Sequence, residues 1–286
     1  MSTAPLFLSP ATPSELATYV SSQCVHPTTV VICTTQQEFD YALNDDISRE
    51  MRSHNPGYPK EQGQEDEPQE EHETEAAEVD KTMEDPDLDL LIPEPPDSPP
   101  AWISPLLQHS IHRVAIAKHI RVVFVPSVSH LRAWLTVLPP ADPRTVPPPP
   151  PAAAATTFSR RAEVAPLLLL YGFADLHRDT SEWSAQGLSN SAATLVEAAR
   201  QNALRPVVVE PRMDWDEQVR DSEAVLGEEM PVLSGAERRA AARDQDEGDG
   251  GWVGRTVTVR RVLSRWFRFE DGPWEELREV EVDDEA

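Results

Sequence analysis

Glycine and cysteine are both scarce in this chain of 286 residues, with 11 and 2 copies respectively. The glycines form no G-x-x-x-x-G-K-[ST] and no G-x-G-x-x-G after a strand, so neither Gly-rich phosphate cradle is present in recognisable form. A G-x-S-x-G nucleophile elbow is also missing. Two cysteines, Cys24 and Cys33, define neither a zinc framework nor a disulfide scaffold. They read as reduced thiols of an intracellular protein, with Cys33 buried in a strand. No apolar run approaches the length of a membrane span, and no membrane partner is expected. The opening stretch MSTAPLFLSPATPSEL has no basic n-region and is broken by prolines, so it is not expected to be a secretory signal.

Positive charge is deficient as well. Lys and Arg number 25 against 50 Asp and Glu, a formal net charge of −25. That charge is unevenly spread. Residues 61–97 hold 16 acids and one Lys, residues 214–249 hold 12 acids and four Arg, and residues 270–286 hold nine acids and one Arg. Outside these three runs the balance is +6, so the presumptive folded part is mildly basic. Acidic runs poor in aromatics bury too little apolar surface to offset chain entropy, and they are expected to stay solvated. Proline is abundant, at 28 residues. Together these features divide the chain into 1–52, a first part of an α/β core; 53–100, an acidic disordered insertion; 101–139, a second part of the core; 140–163, a Pro/Ala-rich linker; 164–212, a central βαβ unit; 213–251, a second acidic insertion; 252–274, a C-terminal β segment; and 275–286, an acidic tail.

The central unit is the clearest. Leu167–Tyr171 is apolar without alternation, as in a strand buried on both faces. Leu188, Ala192, Leu195, Val196, Ala199 and Ala203 recur at helical spacing, with Ser189 or Asn190 as candidate N-cap and Asn202 as the stop. Val207–Val209 is a second short strand. Strand, helix and strand of this length predict a parallel pair with a right-handed crossover. Upstream, a short helix begins near Pro13, with Ser14 available as its cap. Thr28–Cys33 is a β-branched strand, followed by a helix carrying Phe39, Leu43 and Ile47. Residues 104–119 are expected to be helical, with Leu106, Leu107, Ile111, Val114 and Ala115 on one side. Ile120–Val125 is a third strand, and residues 127–138 the helix after it, entered through Ser127 or Ser129. Leu88, Leu90, Leu91 and Ile92 alternate with acids inside the first insertion, a chance apolar patch or a short docking motif. Met230–Leu233 is expected to pack on the core. For Trp252–Trp274 both periods are present, and a strand at 256–259 turning near Leu263-Ser264 into Trp266–Phe269 as its neighbour is favoured. The fold class is therefore α/β, a mostly parallel sheet with flanking helices.

Candidate chemistry is thin. His109, His112, His119 and His130 cluster in sequence, but no further ligand completes a zinc site, and a solvated helix face explains His109 and His112. Asp175, His177 and Asp179 follow a strand end, where ligands of α/β sheets sit. His177 with Ser181 or Ser184 has the residue types of a base and nucleophile, although polar loop residues are the default. No catalytic, metal or cofactor residue is assigned. Arg255, Arg260, Arg261, Arg265 and Arg268 lie within 14 residues, beside Trp252, Trp266 and Phe267. They are the candidate contact surface for an acidic partner or for DNA phosphates.

The order of elements resembles the RecA-like recombinase fold. In that family a strand of four apolar residues and an Asp carries the magnesium-associated carboxylate. Leu167–Leu170 match the apolar positions, and Tyr171 stands where the Asp belongs. The loop Glu182-Trp183-Ser184, the helix 189–203 and the strand Val207–Val209 keep the order. Val30–Cys33 looks like the strand after the phosphate-loop helix, Val122–Val125 with the helix 127–138 like the next step, and Trp252–Phe269 like the closing β-hairpin. The resemblance covers about half the chain and implies a RecA-like, P-loop-NTPase-type core without Walker motifs. It further implies a subunit without ATPase activity or cofactor, held with other RecA-like subunits in a hetero-oligomer, with weak DNA contact. A nuclear recombinase-paralogue or Shu-type assembly in homologous-recombination repair is favoured over an Elongator-type scaffold in tRNA modification. A Rossmann-like transferase is the enzymatic alternative.

Overall fold

The computed structural model describes residues 4–22, 24, 26–55, 103–108, 111–139, 166–212, 222–233 and 255–274. The segments 140–163 and 275–286 lie outside the described residues, as do most of 53–100 and 213–251. The described chain runs β1 (Leu6–Ala11), α1 (Pro13–Ser22), β2 (Thr28–Ile32), α2 (Gln36–His54), α3 (Ile111–Ala117), β3 (Ile120–Phe124), α4 (Val128–Thr136), β4 (Leu167–Tyr171), α5 (Ala185–Gln201) and β5 (Arg205–Pro211). A short α6 (Ser222–Gly227), β6 (Glu229–Pro231), β7 (Thr256–Thr258), α7 (Val259–Leu263) and β8 (Arg268–Glu270) complete it.

Six strands form one sheet in the order β3-β2-β4-β5-β1-β8, and every pairing in it is parallel. This is the α/β architecture expected from the alternation of strands and helices. β4 lies between β2 and β5, and all five of its residues are buried. Its apolar run lacks alternation because successive side chains enter two different cores. Leu168 and Leu170 pack with Val31 and Val208 against Leu131, Leu188 and Leu195, from α4 and α5. Leu167, Leu169 and Tyr171 pack with Val30, Ile32, Val207 and Val209 against Leu16 and Val20 of α1. Each leucine taken fully out of water contributes roughly 1.5–3 kcal/mol. The expected βαβ unit is present, with Leu169 beside Val207 and Leu170 beside Val208.

Several sequence expectations are corrected. The N-terminal segment holds a strand, β1, between β5 and β8. Pro10 within it donates no hydrogen bond to a neighbour, and the register with β5 shifts between Leu8 and Ala11. The stretch 104–119 is a 3-10 turn at Pro105–Leu107 followed by the shorter α3. Its apolar stripe stays largely outside the core, with Ile111 91% and Val114 55% exposed. Helix α5 starts five residues before the expected caps, because Ser184 accepts from the Gly187 N–H at 3.0 Å. Asn202 is its C-cap, as its position suggested. The C-terminal segment forms no hairpin with itself. β7 pairs antiparallel with β6, whereas β8 joins the main sheet beside β1. The switch follows from Val259, Val262 and Leu263, whose helical spacing buries all three and inserts α7 between the two strands. Of the stretch Met230–Leu233 only Met230, fully buried in β6, packs on the core as expected, and Val232 is 40% exposed.

Candidate functional site

Helices α1 and α2, which follow β1 and β2, cover one face of the sheet. Helices α4 and α5, which follow β3 and β4, cover the other. Adjacent strands β2 and β4 therefore send their chains to opposite faces, and so do β1 and β5. Such switch points open a crevice beyond the strand carboxyl ends, where ligands of α/β sheets bind. A crevice of about 310 Å³ lies there, lined by the ends of β1, β2, β4 and β5 and by one side of α2.

The turn between β1 and α1 is the place where a phosphate loop would present backbone amides. Here those amides are already engaged. Thr12 N donates to Glu15 Oε2 at 2.9 Å, and Glu15 N to Thr12 Oγ1 at 3.4 Å, the reciprocal pair of a capping box. Ser14 N donates to Asp46 Oδ2 of α2 at 2.9 Å, Leu16 N to Thr12 O at 3.0 Å, and Pro13 has no N–H. The turn between β2 and α2 repeats the device. Thr35 N donates to Glu38 Oε2 at 3.0 Å, and Glu38 N to Thr35 Oγ1 at 3.3 Å. Hydrogen bonds from the Thr34 and Thr35 hydroxyls and the Thr35 amide hold the Glu38 carboxyl below its usual range, so the charge stays on it. Both helix N-termini thus carry a resident carboxylate, which an incoming phosphate would have to displace and would be repelled by.

The remaining crevice groups tie the strand ends together. Glu15 Oε1 accepts from Arg212 Nη2 at 2.6 Å, and Arg212 N donates to Ala11 O at 2.9 Å. The Tyr171 hydroxyl donates to Ala11 O at 2.9 Å, joining the end of β4 to the end of β1 across β5. Burial, together with the carboxylates of Asp46, Glu210 and Glu15, pushes the Tyr171 phenol well above its ordinary value and keeps it a neutral donor. Gly172 follows with φ +82°, a turn that a side chain would strain, and its N–H reaches Val209 O at 2.9 Å. Glu210, the penultimate residue of β5, is 2% exposed and accepts from Ala174 N at 2.8 Å. Burial first, then the nearby Asp175 carboxylate, raise its carboxyl well above the carboxylate range. Burial likewise raises the Cys33 thiol. These three buried groups near the strand ends are therefore held in their neutral forms.

The loop residues singled out in the sequence do not assemble a catalytic pair. His177 is fully buried, and its partner is Ser191 of α5, with Nε2 and Oγ 2.8 Å apart, in place of Ser181 or Ser184. Ser181 is exposed and Ser184 is the buried α5 cap. The second ring nitrogen, Nδ1, lies 2.8 Å from Phe173 O, which can only accept, so Nδ1 carries the proton and Nε2 accepts from Ser191. Burial lowers the imidazole to about 4. Ser191 Oγ also accepts from Arg132 Nε at 2.9 Å, and Arg132 Nη2 bonds Glu182 and the Gly187 carbonyl, each at 2.8 Å. This chain of bonds ties α4, the β4 loop and α5 to one another. Asp175 pairs with Arg178 at 2.9 Å, and Asp179 is exposed with φ +59°... a left-handed turn residue, as Asp tolerates. His109 and the His112 side chain lie outside the described residues. His119 is half-buried at the β3 entry, and exposed His130 contacts Ser127 at 2.7 Å. Among the described residues no group of three or more His, Cys, Asp or Glu could hold a metal ion. Cys24 and Cys33 are buried free thiols.

All five candidate arginines are exposed, and the structure divides them. Arg268 pairs with Glu270 on β8, Arg260 stacks 5.1 Å from the Phe269 ring centroid, and Arg255 precedes β7. Arg261 and Arg265 line a groove of about 400 Å³ between α7, the start of α5 and the β6–β7 hairpin. Phe267 is buried and Trp266 half-buried, so these aromatics belong to the fold, and Trp252 lies outside the described residues.

No protein-family model matches the chain, and no curated protein matches it significantly. Among the described residues no helix is long and apolar enough to cross a membrane.

Proposed function

We propose that this chain is a non-catalytic RecA-like subunit of a multiprotein complex. The observation that carries the reading is the β1–α1 turn. It stands at the phosphate-loop position of such a core, yet its amides are occupied by Glu15, Asp46 and Thr12 of the chain itself. Tyr171, in place of an acid, is committed to Ala11 O, and the strand after α5 carries the polar Glu210 next to its last residue. A fold that keeps the arrangement while filling the nucleotide position with its own side chains serves as a surface for assembly. Strand order supports this over the Rossmann-like alternative: β4 and β5 separate β1 from β2, whereas the dinucleotide-binding order sets the first two strands side by side. The biological setting favoured by the resemblance is assistance to recombinase filament assembly in DNA repair, in the nucleus, with Elongator-type scaffolding as the second reading.

Isothermal titration of the full chain with magnesium–ATP tests the site, with no heat of binding expected; micromolar affinity would overturn the reading. Thermal-shift screening against S-adenosylmethionine and NAD tests the transferase alternative, and stabilisation by either would replace it. Affinity purification from the native source, followed by identification of the co-purifying chains, separates the recombination from the tRNA-modification setting.

A further inference from the structure

We propose that the groove rimmed by Arg261 and Arg265 docks an acidic–aliphatic peptide segment of a partner protein. The groove has two chemically different parts. Val232, Val257 and Val262 give it an apolar lining, and Val232 is 40% exposed. Arg261 and Arg265, four residues apart, supply two guanidinium groups at its rim. Among the described residues neither arginine makes an ion pair, although the chain holds 50 acids against 25 Lys and Arg. Arg49, Arg132, Arg178, Arg200, Arg212 and Arg268, by contrast, each meet a carboxylate. The wall is held in place: Val232 N donates to Arg255 O at 3.0 Å, and Gln186 N donates to Val232 O at 3.2 Å.

A ligand that fits both parts alternates carboxylates with branched aliphatic side chains. The carboxylates take bidentate bonds from the arginines and the aliphatics cover the valines. A nucleic-acid backbone would satisfy the arginines and leave the valines wet. The proposal rests on the assembly reading only in expecting a protein partner. It makes no use of the strand-end crevice, so the nucleotide and peptide tests fail independently.

The test is fluorescence anisotropy with a labelled peptide DLDLLI, the sequence of residues 87–92, on the full chain carrying Leu88→Ser, Leu90→Ser, Leu91→Ser and Ile92→Ser, so that its own copy does not compete. Hexaglutamate and a short single-stranded oligonucleotide are the competitors. We expect DLDLLI to bind at about 1–10 µM and hexaglutamate at least ~10-fold more weakly. The Arg261→Glu/Arg265→Glu variant should lose about 100-fold with an unchanged melting temperature. Val232→Asp, on the opposite wall, should also weaken binding. Equal binding of hexaglutamate, full binding by the double variant, or no peptide binding would overturn the proposal. Tighter binding of the oligonucleotide would replace it with a nucleic-acid surface.

Discussion

The crevice at the strand ends and the groove beside α7 treat charge in opposite ways. In the crevice, Glu15, Arg212, Asp46 and Thr12 are bonded to one another or to the backbone of the turns they line. In the groove, Arg261 and Arg265 stand beside exposed valine with no described carboxylate in contact. A site whose polar groups are satisfied from within contributes to stability and offers little to a ligand. One whose polar groups are left to solvent contributes little to stability and gains on contact with a partner. The first region should therefore answer to mutation in unfolding experiments, and the second only in binding experiments.

The largest effect is expected at Glu15. Glu15→Ala leaves the Arg212 guanidinium and the Thr12 amide without their shared acceptor and should cost about 3 kcal/mol, measured by urea denaturation. A loss below about 0.5 kcal/mol would mean that water replaces the carboxylate freely and that the crevice is open after all.

His177 comes next. Its folded value of about 4 lies below the unfolded value near 6.5, so the unfolded chain binds the proton more readily between them. The resulting stability is fully present above about pH 6.5 and is lost as pH falls towards 4, on the order of 3 kcal/mol in all. Denaturation midpoints of wild type and His177→Gln across that window check it. The variant should start lower, having lost the fit to Phe173 O and Ser191, and should lack this part of the slope.

Glu210 has the opposite sign. A buried carboxyl whose folded value is raised keeps its proton in the native state and gives it up on unfolding. Its contribution is greatest below the unfolded value near 4.3 and declines as pH rises from there towards the raised folded value. Glu210→Gln should flatten that decline, so that variant and wild type converge at acid pH and separate at neutral pH.

Tyr171→Phe removes one hydrogen bond to Ala11 O and should cost about 1 kcal/mol. The smallest change in stability is expected for Arg261→Glu/Arg265→Glu, within about 0.5 kcal/mol, because both side chains are exposed. A larger loss there would make the groove part of the fold and erase the contrast.

The central sheet was legible because its signals are local. Leu167–Tyr171 and Val207–Val209 are apolar in adjoining residues, and α5 repeats at a fixed spacing. β1 escaped because Ser9 and Pro10 interrupt a short apolar run, and only pairing to β5 and β8 makes it a strand. α3 misled because its spacing is amphipathic while its apolar side faces outward. The site was less legible still. Tyr171 stands out in the sequence, in place of an acid, but its partner Ala11 and the Glu15–Arg212 pair are brought together only by strand order. One local signal was available: Thr-x-x-Glu follows both β1 and β2, and a capping box at each turn announces that the helix start is already occupied.

The position of β1 also bears on how the molecule is made. Leu6 pairs with Val207 on one side and Arg268 on the other, about 200 and 260 residues further along. β1 is made long before either partner, so Leu6, Phe7 and Leu8 stay uncovered until β5 and then β8 follow. Pairings this distant in sequence form slowly and leave apolar strand edges open to other chains. A nascent chain released before residue 268 would keep β1 as an open edge, so premature termination should yield aggregate in place of a smaller folded protein.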